Sequence, residues 1–207
     1  QLLIYSNDTA GNLALNDSVY FNVSKEEVYV CGTLDDENTI YTLQNDITGI
    51  ATDCFTIGAD NITLDLNEKI IAASGDSNQG VNITNYNATT IKDGNISGFY
   101  SSIEIRNSFG NNLSNITSSS AGTFGIIFYD VANTTIDDSA ILDTGFAFNW
   151  AGLTHPNITI SDTVLDGSSV DIFDFSGHAN LTCLNCTFDD GLSTIGAGSN
   201  VTIKWYL

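Results

Sequence analysis

Carboxylates are the commonest groups in this chain that could do chemistry. There are 25 Asp and Glu against five Lys and Arg, a formal charge of −20. Glycoside hydrolysis uses two carboxylates about 5–10 Å apart. Asp137 or Asp138, together with Asp162, would form such a pair if successive repeats stack. The same oxygens suit calcium. Asp171 with Asp174, and Asp189 with Asp190, are the best calcium candidates, although no EF-hand or nonapeptide pattern is present. Calcium is therefore the one cofactor left open, no metal ligand is assigned, and a solvated acidic surface is the plainer expectation. His155 and His178 lie 23 residues apart and read as polar loop residues. Glu104 and Arg106, two residues apart, share one strand face and read as a structural ion pair on an exposed strand.

The charge also excludes partners. Lys25, Lys69, Lys92, Lys204 and Arg106 form no basic stripe, so nucleic acid is not expected. Docking on anionic lipid is disfavoured for the same reason. No apolar run is long enough to span a bilayer, and no signal peptide is recognisable in this stretch. The chain contains no Met, which suggests that Gln1 is a processed end.

Asn-x-Ser/Thr occurs at Asn7, Asn16, Asn22, Asn61, Asn82, Asn87, Asn95, Asn112, Asn115, Asn133, Asn157, Asn180, Asn185 and Asn200, more often than this composition gives by chance. The expectation is extensive N-glycosylation in an extracellular setting. Repeat-phrase asparagines that point inward and stack would stay unmodified. Cys31, Cys54, Cys183 and Cys186 make an even count, which favours disulfides outside the cell. A Cys31–Cys54 bond would tie the N-terminal segment to the first coil. Cys183 and Cys186 form a CxxC inside a strand repeat rather than at a helix start, so a structural disulfide or a ladder thiol is expected rather than redox chemistry.

These residues are set in a repeat. One phrase, ending in a polar residue and then an apolar one, begins at Asn61, Ala88, Leu113, Asn133, Asn157, Asn180 and Asn200, with spacings of 27, 25, 20, 24, 23 and 20 residues. The near-fixed period marks a solenoid. Thr, Ile and Val make the unit a strand. The pattern stacks Leu64, Ile91, Ile116, Ile136, Ile160, Cys183 and Ile203 into one ladder. A second apolar position follows five residues later: Ile96, Ala121, Ile141, Leu165 and Phe188. The odd step needs a bend, for which Gly94, Asp138, Asp162 and Asn185 have the turn chemistry. Helical caps and the leucine-rich pattern are absent. The fold class is all-β, a right-handed single-stranded parallel β-helix. Residues 1–30 form an N-terminal β cap or entry strand, and residues 31–207 form the solenoid. Leu2, Leu3, Ile4 and Tyr5, and Ile203, Trp205, Tyr206 and Leu207, are apolar strands at its two ends. Either the natural chain continues beyond Leu207 or another subunit covers that end.

The stretch Cys54-Phe55-Thr56-Ile57-Gly58-Ala59-Asp60-Asn61-Ile62-Thr63-Leu64-Asp65-Leu66-Asn67 resembles the opening of right-handed parallel β-helix domains in archaeal secreted and surface proteins, part of the broad pectate-lyase-like group. Cys31-Gly32-Thr33-Leu34 and Tyr41–Ile47 look like the lead-in seen there, and Val201–Leu207 is similar to the strand leading into a following domain. Glu68 departs from the resemblance, since a Gly is common at that turn. Pectate-lyase chemistry, as the resemblance implies it, needs a basic residue as proton acceptor and carboxylates holding calcium. Arg106 is the only such base apart from the lysines. The family hosts many functions. The function expected is a non-enzymatic, glycosylated extracellular structural protein at the cell surface. It would self-assemble with its own copies into a filament, sheath or surface layer through the end strands. The alternative is a carbohydrate-binding adhesin, with Tyr86, Phe99, Tyr100, Tyr129 and Trp150 as stacking platforms, or a polysaccharide lyase or hydrolase.

Overall fold

Alternating Thr, Ile and Leu favour a pleated backbone whose apolar side chains fall on one face. No single turn of such a chain can bury that face alone. The computed structural model describes residues 4–7, 13–16, 24–75, 78–119, 121–151, 157–174, 180–188 and 200–204. In it the strands stack in parallel, coil upon coil, as a β-solenoid. Each regular coil contributes strands to three ladders. The first runs Tyr41, Leu64, Ile91, Leu113, Ile136, Ile160, Cys183, Ile203. The second runs Ile47, Ile71, Ile96, Ser118, Ile141, Leu165, Phe188. The third runs Phe55, Val81, Ile103, Ile126, Phe148, Ile172. Most described rungs of these ladders are buried and form one continuous core.

The register corrects the repeat phrase in one coil. Leu113, not Ile116, stands between Ile91 and Ile136, and Ser118, not Ala121, follows in the second ladder. Ile116 is buried opposite Gly94 instead. The left-handed corner of that coil is Gly110, three residues upstream of the expected start, so the phrase in that coil is 110–113. Ser24–Val28 already runs parallel to Thr39–Leu43, so solenoid pairing begins upstream of residue 31. Ile4–Asn7 pairs antiparallel with Leu13–Asn16.

The corners explain the Asn and Asp content. Backbone φ is positive at Asn38, Asn61, Ala88, Gly110 and Asn133, which stack on one another. A second stack is Asp93, Asn115, Asp138, Asp162 and Asn185, and a third is Asn85, Asn107 and Asp130. Asn and Asp tolerate this conformation better than other side-chain-bearing residues. Their side chains then bond from coil to coil. Asn61 Nδ2 donates to Asn38 Oδ1 at 2.7 Å, Asn115 Nδ2 to Asp93 Oδ1 at 2.9 Å, and Asn185 Nδ2 to Asp162 Oδ1 at 2.7 Å. Corner carboxylates also accept backbone N–H groups from the next coil, as Asp46 Oδ1 does from Ile70 at 2.9 Å. Gly94 is a close approach: a Cβ there would sit 2.8 Å from the Lys69 carbonyl oxygen.

Two disulfides lie in this frame. Cys31–Cys54 joins the start of one coil to the coil stacked on it, beside the Gly32–Phe55 rung. Cys183–Cys186 spans the corner at Asn185, with both sulfurs fully buried. Bonds of this kind persist in oxidising surroundings, which fits a secreted protein.

Candidate functional site

Alternation along Ser101–Phe109 puts Ile103 and Ile105 in the core and Glu104 and Arg106 on the opposite face. Parallel register then sets Arg106 between Thr84 and Tyr129, and Glu104 between Asn82 and Ile127. Thr84 Oγ1 donates to Asn82 Oδ1 at 2.7 Å in the coil below. Arg106 Nε donates to Glu104 Oε1 in an ion pair. The guanidinium carbon lies 3.9 Å from the centre of the Tyr129 ring, a cation–π contact. Glu104 is 5% exposed, whereas the Arg106 side chain is 42% exposed. The expected structural pair on an exposed strand is thus half right, because its acid is buried. The hydrogen bond that Arg106 donates to Glu104 is the main cause of an Arg106 pKa raised above its ordinary value, with burial opposing it. Arg106 is therefore a fixed cation, not the proton acceptor that chemistry of the resembled family would require. The arrangement can present one fixed positive charge, backed by a buried carboxylate and flanked by a phenol.

The expected carboxylate pair also comes together. Carboxylate oxygens of Asp137, Asp138 and Asp162 all lie within 4.8 Å of one another. Asp138 and Asp162 are exposed corner residues of successive coils, and Asp137 accepts a hydrogen bond from Ser161 Oγ. Three oxygens so placed could take a hard cation such as Ca2+ with water completing the shell. The separation is closer to a retaining than an inverting hydrolase pair. Asp171 and Asp174 lie on Val164–Asp174, but their side chains are not described; Asp189, Asp190, His155 and His178 lie outside the described residues.

Aromatics divide. Phe99 is fully buried, which removes it as a sugar platform. Tyr100 is exposed and meets Phe124 edge-on at 5.5 Å. Tyr86 is half-buried against the core and lines a cleft of about 320 Å³ with Glu37, Gly58, Ala59, Asp60 and Asn85. The sequence alone gave no sign of this cleft. The Trp150 side chain is not described.

Among sequon residues, Asn61, Asn115, Asn133, Asn157 and Asn185 are exposed, and Asn82, Asn87, Asn95, Asn112 and Asn180 are half-buried. Asn7, Asn16 and Asn200 lie on strands, and Asn22 is outside the described residues. Of the end strands, Ile4 and Tyr5 pair with Asn16 and Leu15, and Ile203 pairs with Cys183. Leu2, Leu3, Trp205, Tyr206 and Leu207 lie outside the described residues. No helix among the described residues is long and apolar enough to cross a membrane.

No protein-family model and no curated protein sequence matches the chain. Among solved structures it is similar to the crystal structure of alginate lyase from Paenibacillus sp. str. FPU-7, with a TM-score of 0.61, 13% identity, and coverage of 88% of this chain and 75% of that one. At that identity the two share a fold, the parallel β-solenoid.

Proposed function

We propose that this protein is secreted and acts on a polysaccharide laid against the outer face of the solenoid, with Arg106 as the group that meets a sugar carboxylate. The observation that carries this reading is the setting of the chain's one arginine: held by buried Glu104, stacked on Tyr129, and still open to solvent. Support comes from the fold shared with an alginate lyase and from the two disulfides.

The reaction that fits is β-elimination from a uronate. A fixed cation on the sugar carboxylate stabilises the negative charge that develops when the neighbouring C–H loses its proton. That electron pair forms a C=C bond, and the glycosidic C–O bond breaks, with a proton delivered to the departing oxygen. Water takes the proton from that C–H, and the Tyr129 phenol, in contact with Arg106, supplies the one that reaches the departing oxygen and regains it from solvent. Asn82 and Thr84 offer polar atoms one coil away for the neighbouring sugar hydroxyls.

The test is a set of variants assayed on polyuronates. Arg106→Ala should lower turnover about 100-fold, in line with removal of one stabilising group for transition-state charge. Arg106→Lys, which keeps charge but loses the fork, should retain part of it, and Tyr129→Phe should lower kcat more than it raises KM. Unchanged turnover in folded Arg106→Ala would overturn the assignment.

A further inference from the structure

We propose that the cleft lined by Glu37, Asp60, Asn85 and Tyr86 binds a non-acidic pyranose, one unit of a carbohydrate chain, as a site separate from Arg106. The cleft lies at the corner of successive coils, where Asp60 precedes the left-handed residue Asn61 and Asn85 is itself left-handed. Its volume of about 320 Å³ is at the small end of the range for ligand pockets, enough for a sugar unit. A hollow of about 230 Å³ lined by Asn38, Thr39, Ile40, Asn61 and Thr63 follows the same two corners, since Asn38 and Asn61 adjoin Glu37 and Asp60 in sequence. It offers room for a second unit.

The lining is of mixed polarity and partly uncommitted. Asp60 Oδ1 accepts the Asn87 backbone N–H at 2.7 Å, which fixes the carboxylate and leaves Oδ2 as an acceptor. Asn85 Oδ1 accepts from Asn107 Nδ2 at 3.1 Å, which points to Nδ2 as the free donor. The Glu37 carboxylate and the Tyr86 hydroxyl make no hydrogen bond or ion pair with the described residues. Tyr86 packs against the core, so its ring is held in one place. A fixed aromatic beside paired acceptors and an amide donor matches the amphipathic face and hydroxyl edge of a pyranose. Among the described residues no Lys or Arg lines the cleft, so a uronate would meet Glu37 and Asp60 without a counter-charge. The ligand class is therefore a neutral or amino sugar. The inference does not depend on Arg106, although the two sites are close in the fold: the Asn85 backbone N–H donates to the Arg106 carbonyl at 3.0 Å.

The experiment is a titration of the full-length, isotope-labelled protein, followed by amide NMR. The probes are a β-1,4 glucose trimer, a glucosamine trimer and a galacturonate trimer. The glucose or glucosamine trimer should shift amides of Glu37, Gly58, Ala59, Asp60, Asn85 and Tyr86 saturably, and the galacturonate trimer should not. Tyr86→Ala should weaken binding at least tenfold. Because that change also removes core packing, Glu37→Gln provides a second readout: it should weaken the glucosamine trimer with an otherwise unchanged spectrum. Arg106→Ala should leave this binding intact, so the two sites fail independently. No saturable shift at these residues with either non-acidic trimer, or equal binding of the galacturonate trimer there, would overturn the proposal.

Discussion

Several side chains carry measurable consequences on their own. Thr89 and Thr134 stand in the lumen between Ile62 and Ile158, with Asn111 between them, and each hydroxyl is buried without a partner among the described residues. A buried hydroxyl left unpaired costs about 1–3 kcal/mol. Thr134→Val should therefore raise the urea midpoint, with a gain of about 1 kcal/mol and an unchanged m-value. A lower midpoint would show that the hydroxyl is paired. Asp93 illustrates the charged case. Its hydrogen bond from Lys92, and then that from Asn115, hold its pKa below the ordinary carboxylate value. A lowered folded pKa means that the stabilisation is present above the unfolded value, about 4, and is lost as pH falls through the folded one. Asp93→Asn should flatten the stability profile in that acid window. The pair is half-buried, so the effect should stay under about 1 kcal/mol.

Corners decide stability at the level of elements. Ala88 occupies a left-handed position (φ 56°) in the stack where other coils have Asn or Gly, and Glu68 does the same (φ 62°) at the turn where the resemblance leads one to expect Gly. The conformation costs a side-chain-bearing residue about 1–2 kcal/mol. Ala88→Gly and Glu68→Gly should each raise the thermal midpoint, by about 1 kcal/mol in stability, and a drop in either would mean that the side chain is used. These corners also show what was legible in the sequence. Strand character, period and the ladder at Leu64, Ile91, Ile136, Ile160, Cys183 and Ile203 followed from β-branched residues at fixed spacing. The slip at Ile116 arose because Asn115-Ile116-Thr117 satisfies the same local pattern as the true rung, and only inter-coil hydrogen bonding separates them. Asp137, Asp138 and Asp162 were readable as neighbours because they are one period apart. The Tyr129 contact with Arg106 was not, since it depends on a register between strands that share no motif. Several sequon asparagines owe their place to the corners: Asn61, Asn115, Asn133 and Asn185 all have positive φ.

The whole molecule adds charge and chain connectivity. With a formal charge of −20, the protein should repel a polyuronate in bulk, while the proposed contact at Arg106 involves a single sugar carboxylate. Screening should therefore help rather than hinder. Raising ionic strength from about 0.01 M to about 0.15 M shortens the Debye length from about 30 Å to about 8 Å, and kcat/KM on a polyuronate should rise several-fold. A fall would place a larger positive surface at the site. In a solenoid each coil rests on its neighbours, so Cys31→Ser with Cys54→Ser should raise hydrogen exchange in Gly32–Leu34 and Phe55–Ile57 and leave distant coils protected. The central claim, that this solenoid cleaves a uronate polysaccharide at Arg106, is tested most directly by mass spectrometry of polyuronates after incubation with the protein. Oligosaccharides whose new non-reducing end is an unsaturated uronate should form, and should be absent with Arg106→Ala. Intact polymer, or products carrying the added water of hydrolysis, would contradict it.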